Sequence, residues 1–128
     1  MQKRIMIIDD ETNIRFVLRK MLEKDGYEVI EARNGKEGLE LLARERPDLI
    51  LLDVMMPGMD GWETCAKIKN NERTRDITVS MLTVKKSHED KISSLEESLA
   101  DWHISKPIDR DVLTSTVKWL LENPPQRE

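Results

Sequence analysis

The chain has 128 residues, enough for one domain with a sheet covered on both faces, and its 38% hydrophobic and 36% charged composition excludes a disordered tail. A net charge of −4, with acids and bases interspersed, leaves no basic stripe for DNA or RNA. Its apolar runs stop at four residues, too short to span a bilayer; Asp9 and Asp10 break the run behind Lys3-Arg4 that could otherwise resemble a signal peptide, and the single Cys65 can form no internal disulfide, which points to a reducing, cytoplasmic setting.

Residues 3–8 (KRIMII) form an expected first strand that runs into the adjacent acids Asp9 and Asp10. Over residues 11–25, Ile14, Val17, Leu18, Met21 and Leu22 recur at helical spacing, and Gly26 stops the helix. Residues 27–32 (YEVIEA) read as a second strand, after which Asn34-Gly35 turns the chain. A second helix carries Leu39, Leu42 and Ala43 and ends at Pro47. Residues 48–53 (DLILLD) form a third strand whose continuous apolar run implies burial on both faces. One Pro and two Gly make 54–61 (VMMPGMDG) a loop. A helix over 62–70, a strand over 77–83 and a helix over 88–98 presenting Ile92, Leu95 and Leu99 follow. A short fifth strand over 102–105 and a final helix over 109–122 complete the pattern, leaving 123–128 as a polar tail. This alternation predicts a doubly wound α/β fold: one domain over 1–122, with five parallel strands and five helices.

In such sheets, ligands bind beyond the carboxyl ends of the strands. Strand one ends in Asp9 and Asp10, strand three in Asp53, strand four in Thr83, and Lys106-Pro107 follows strand five. Taken singly, each has an ordinary explanation: a helix cap for Asp9 or Asp10, a turn for Asp53, strand propensity for Thr83, a surface loop for Lys106. Jointly, three carboxylates, one hydroxyl and one ammonium converge on one rim. Adjacent acids at a strand end repel each other, and something must compensate them: a helix N-terminus, a cation or water.

The stretches "IIDDE", "LLDVMMPGMDG", "MLT" and "SKPI" resemble the receiver domain of two-component response regulators, the CheY-like family. The resemblance spans residues 5–108 and implies a flavodoxin-like sheet of order 2-1-3-4-5. It implies that Asp53 accepts a phosphoryl group from the phosphohistidine of a sensor histidine kinase or phosphotransfer protein. It implies Mg²⁺ held by Asp10, Asp53 and the backbone carbonyl of Met55, with Asp9 acting through a metal-bound water. Lys106 would pair with Asp53 and then with the phosphoryl oxygens, and Pro107 permits the cis peptide that the family uses to aim it. The Thr83 hydroxyl would bind the phosphoryl group and trigger the switch. The face made by the fourth helix, fifth strand and fifth helix would then meet a downstream effector or a second copy. No small-molecule turnover, nucleic acid or membrane insertion is expected.

Several residues depart from the family pattern. Val84 stands where a very small residue is usual, and either narrows access to the phosphoryl group or turns outward. His103 stands where the switching residue is Tyr or Phe, and either faces solvent or serves as the switch, with a charge that could respond to pH. Leu99 stands where Gly often ends the fourth helix, so that end is expected to take another geometry. Trp102 and Trp119 are either interface anchors or cover their own elements, while Trp62 packs at the start of the third helix and Cys65 fills core. Alternatives are a receiver from a longer protein and a pseudo-receiver acting by contact alone. A haloacid-dehalogenase-type phosphohydrolase disagrees with the adjacent acid pair, and a flavin or nucleotide site with the acidic first loop.

Overall fold

The computed structural model describes residues 2–84 and 99–125. Five strands, β1 (Arg4–Ile8), β2 (Glu28–Ala32), β3 (Leu49–Asp53), β4 (Thr78–Val84) and β5 (Trp102–Lys106), alternate with α1 (Thr12–Lys24), α2 (Gly35–Leu42), α3 (Gly61–Lys69) and the last helix (Arg110–Glu122). The helix expected over 88–98 lies outside the described residues, so four helices are described where five were expected. All strand pairs are parallel and the order is β2-β1-β3-β4-β5. β1 and β3 therefore lie side by side at the point where the strand order reverses, and their carboxyl ends carry the acids.

Alternation along the strands divides the core into two layers. Ile5 and Ile7 face Leu18 and Leu22 of α1 and Leu113, Val117 and Leu120 of the last helix. Met6 and Ile8 face the other way, with Cys65 and Ile68 of α3 and the partly buried Leu39 and Leu42 of α2. Every residue of β3 is buried, as its unbroken apolar run implies.

The helix ends follow local chemistry. Gly26, at φ +89°, takes the left-handed position after α1, and its N–H donates to the Glu23 carbonyl. Asn34 caps α2 by accepting from the Glu37 N–H at 2.8 Å, so the expected Asn-Gly turn is a helix start. α2 stops at Leu42, well before Pro47, because the Ala43 and Arg44 N–H groups reach back only three residues, to Glu40 and Leu41. On α1 the buried stripe is Arg15, Leu18 and Leu22, whereas Val17 is exposed.

Candidate functional site

Asp9 follows the last residue of β1, Asp53 closes β3, and Lys106 closes β5. Asp9 and Asp53 are buried and Asp10 is exposed. One oxygen from each of the three carboxylates lies within 4.8 Å of the others. The Lys106 ammonium donates to Asp9 Oδ2 at 3.2 Å and to Asp53 Oδ1 at 3.1 Å, so the lysine spans two strands and holds both buried acids. The Lys106–Pro107 peptide is cis. The other Asp9 oxygen accepts from the Glu11 N–H at 2.9 Å, and Asp53 Oδ1 also accepts from the Met55 N–H at 3.3 Å.

One ammonium cannot neutralise three carboxylates. Burial, then the charge of Asp9, pushes the Asp53 carboxyl up to about 6, against the opposing pull of Lys106 and the Met55 N–H. Burial works to lower the Lys106 pKa, but the hydrogen bond to Asp53 and the charges of Asp9 and Asp53 outweigh it and the net direction is upward. The lysine is therefore charged at neutral pH, and the cluster retains a deficit of positive charge. Hard carboxylate oxygens, one of them exposed, fit a divalent cation such as Mg²⁺, which keeps several waters and takes few protein ligands.

Of the remaining predicted residues, Thr83 and Val84 stand at the same rim, at the end of β4. Thr83 is half-buried near the end of β4, one residue beyond Leu82, the register partner of Asp53. Val84, the register partner of Lys106, is 52% exposed. His103 is half-buried and its ring meets that of Trp62 at 5.9 Å between centroids, rather than facing solvent. Trp102 and Trp119 pack on each other, at 5.3 Å and 44°, with nearly half of each exposed. Leu99 is exposed, and the helix end expected before it lies outside the described residues. Cys65 is buried and its thiol is pushed up to about 11 by burial, which leaves it an inert core residue.

Two supporting residues escaped the sequence reading. Gly61 opens α3 directly behind the end of β3: a Cβ there would lie 2.2 Å from the Asp53 carbonyl oxygen and 2.7 Å from Val54 Cα. Arg15, on the inward stripe of α1, is a buried guanidinium that donates to the Asp9 carbonyl at 2.7 Å. Its signal was available, since residues 15, 18 and 22 share one helical face and a charge on an apolar stripe requires a buried partner.

A parallel 2-1-3-4-5 sheet with acids and a lysine gathered at its switch point defines a flavodoxin-like α/β protein with a rim built for phosphate or metal. The chain belongs to the response regulator receiver domain family, the phospho-acceptor signalling module of two-component systems, whose family model matches residues 5–118. It is 43% identical over 121 residues to the response regulator PleD of Caulobacter vibrioides, covering 94% of this chain and 26% of PleD. The chain thus spans about a quarter of that relative's length. Among solved structures it resembles the signal receiver domain of a histidine kinase from Syntrophus aciditrophicus, with a TM-score of 0.87 and 39% identity over 98% of this chain and 95% of that one. It also resembles the response regulator TrrA of Thermotoga maritima, described in complex with Mg²⁺-BeF, with a TM-score of 0.80 and 35% identity over 93% and 99% of the two chains. Among the described residues, no helix is long and apolar enough to cross a membrane.

Proposed function

We propose that Asp53 is the phosphoryl acceptor of this receiver domain. The observation that supports it most directly is the single ammonium of Lys106 shared between Asp53 and Asp9 at the end of the central strand. An Asp53 oxygen attacks phosphorus in line, the P–N bond of a phosphohistidine already protonated on its other ring nitrogen breaks, and the electron pair leaves with the neutral imidazole. Little covalent help is needed; positioning and charge neutralisation lower the barrier. Lys106 orients Asp53 before transfer and neutralises phosphoryl oxygens after it. The Met55 N–H donates to the same oxygen, Asp53 Oδ1, and with Lys106 holds the acceptor carboxylate in place. Thr83, beyond the register partner of Asp53, supplies a hydroxyl to the product and so couples it to the loop after β4.

Mg²⁺, held by Asp10, Asp53 and the Met55 carbonyl, would supply neutralisation of the carboxylates and of the incoming phosphoryl group. Asp9, whose oxygens already serve Glu11 and Lys106, would act on the metal through water rather than as a direct ligand. The donor is a sensor histidine kinase or a phosphotransfer protein. The half-exposed Trp102–Trp119 pair on β5 and the last helix supports an effector, or a second copy, as the reader of that face, with His103 in the switching position. Residues 1–122 form the receiver and 123–128 a tail, the last helix ending at Glu122. The domain acts as a signalling switch that assists its own phosphorylation and dephosphorylation, and we place it in the cytoplasm on the strength of the family alone.

The test is labelling by a small acyl phosphate with and without Mg²⁺. The parent should take up one phosphoryl group per chain only with the metal, and Asp53→Asn should take up none. Equal labelling of the two proteins would overturn the assignment.

A further inference from the structure

Arg15 is the most deeply placed arginine among the described residues, and nothing in the phosphoryl chemistry above uses it. Only 8% exposed, its guanidinium spends its donors in three directions. Nη1 donates to the Asp9 carbonyl at 2.7 Å, Nε to Glu31 Oε1 at 3.1 Å, and Nη2 to Thr12 Oγ1 at 3.4 Å. Glu31 lies near the end of β2 and is held from the other side by Arg19 Nε at 2.7 Å. The planar fork therefore ties the start of α1 and the end of β2 to one peptide group, that joining Asp9 to Asp10.

That peptide is the hinge of the acid pair. The Asp9 N–H already donates to the Ala32 carbonyl at 3.2 Å, and its two side-chain oxygens serve Glu11 and Lys106. The Arg15 bond fixes the remaining polar atom of Asp9, its carbonyl. With the carbonyl direction set, the peptide plane is set, and with it the position of the Asp10 Cα from which the exposed carboxylate reaches the rim. We infer that Arg15 is a positioning residue for divalent-cation binding: by holding the Asp9 carbonyl it aims Asp10 at the cation, without touching cation or phosphate. This rests on the reading of the acid cluster as a Mg²⁺ site. Outer-shell partners that orient metal ligands commonly contribute ten- to a hundredfold in affinity. A lysine in this position would retain the charge and lose the fork, so charge alone is not the source of the effect.

The test is a calorimetric Mg²⁺ titration of the unphosphorylated protein, with circular dichroism as the check on folding. Arg15→Gln and Arg15→Lys should each weaken Mg²⁺ binding by about tenfold or more. Leu22→Ala, a core change in the other half of α1, should lower the melting temperature and leave Mg²⁺ affinity within about twofold, separating aim from stability. Glu31→Gln, which loosens the guanidinium without emptying its site, should weaken binding by a smaller factor, about threefold, and serves should the Arg15 variants not fold. A parent that binds no Mg²⁺ would sink the metal-site reading itself. A parent that binds, with Arg15 variants within twofold of it or, where those do not fold, an unchanged Glu31→Gln, would overturn the inference and leave that reading standing.

Discussion

Replacing Asp53 by Asn should make the metal-free protein more stable, although it removes the proposed phosphoryl acceptor. The carboxyl is pushed up to about 6 from an ordinary 3.8, a rise of roughly two that corresponds to about 3 kcal/mol against the ionised form. The favourable bond from Lys106 is already included in that balance, because the rise survives it. The sign follows from linkage. An acid whose pKa is higher in the folded state binds more protons folded than unfolded between about pH 4 and 6. The parent therefore loses stability as pH rises through that window, and carries the whole penalty above it. Asparagine, neutral and nearly isosteric, carries none. Urea denaturation with a chelator present should show Asp53→Asn more stable by about 3 kcal/mol near pH 8, roughly half that near pH 5, and little near pH 3. Millimolar Mg²⁺ should stabilise the parent more than the variant and narrow the gap. A variant less stable than the parent near pH 8, or a gain independent of pH, would refute the reasoning that the acids are crowded.

Lys106→Met should have the opposite sign, since it leaves Asp9 and Asp53 buried together without a cation; a loss of about 3–5 kcal/mol near neutral pH, shrinking as the solution is acidified, is expected in the same melts. Gly61→Ala should cost about 1–3 kcal/mol and slow acyl-phosphate labelling, because the new methyl meets the Asp53 carbonyl oxygen and Val54 Cα, both backbone. Lys69→Met should cost about 3–5 kcal/mol by urea denaturation, since the buried Lys69 ammonium holds Asp101 at 2.7 Å and Asp101 would be left without it. Cys65 should react with a thiol reagent no faster than the protein opens, so its rate should rise with urea and not with Mg²⁺ removal alone.

Much of this was readable in the residues because strand ends are local events. The run "LILLD" announces a buried central strand that stops on a charge, and all five of its residues are buried. The lysine's reach could be argued from strand spacing, and it extends further than expected, to Asp9 as well as Asp53. Tertiary context governs what was missed. Val17 sits on a helical period with its apolar neighbours yet faces solvent, while Arg15 takes the inward place because a carbonyl and Glu31 await it there. The clearance behind Asp53 that admits only Gly61 exists only once α3 is folded against β3. Trp102 and Trp119 belong to different elements, and no local pattern announces that they meet.

Site mapping on the phosphorylated protein tests the central claim most directly. After reaction with an acyl phosphate and Mg²⁺, borohydride reduction converts an aspartyl phosphate to homoserine, which peptide mass spectrometry locates. Conversion at Asp53 alone, absent without Mg²⁺, is the predicted result; conversion at Asp9 or Asp10 with Asp53 untouched would contradict the account.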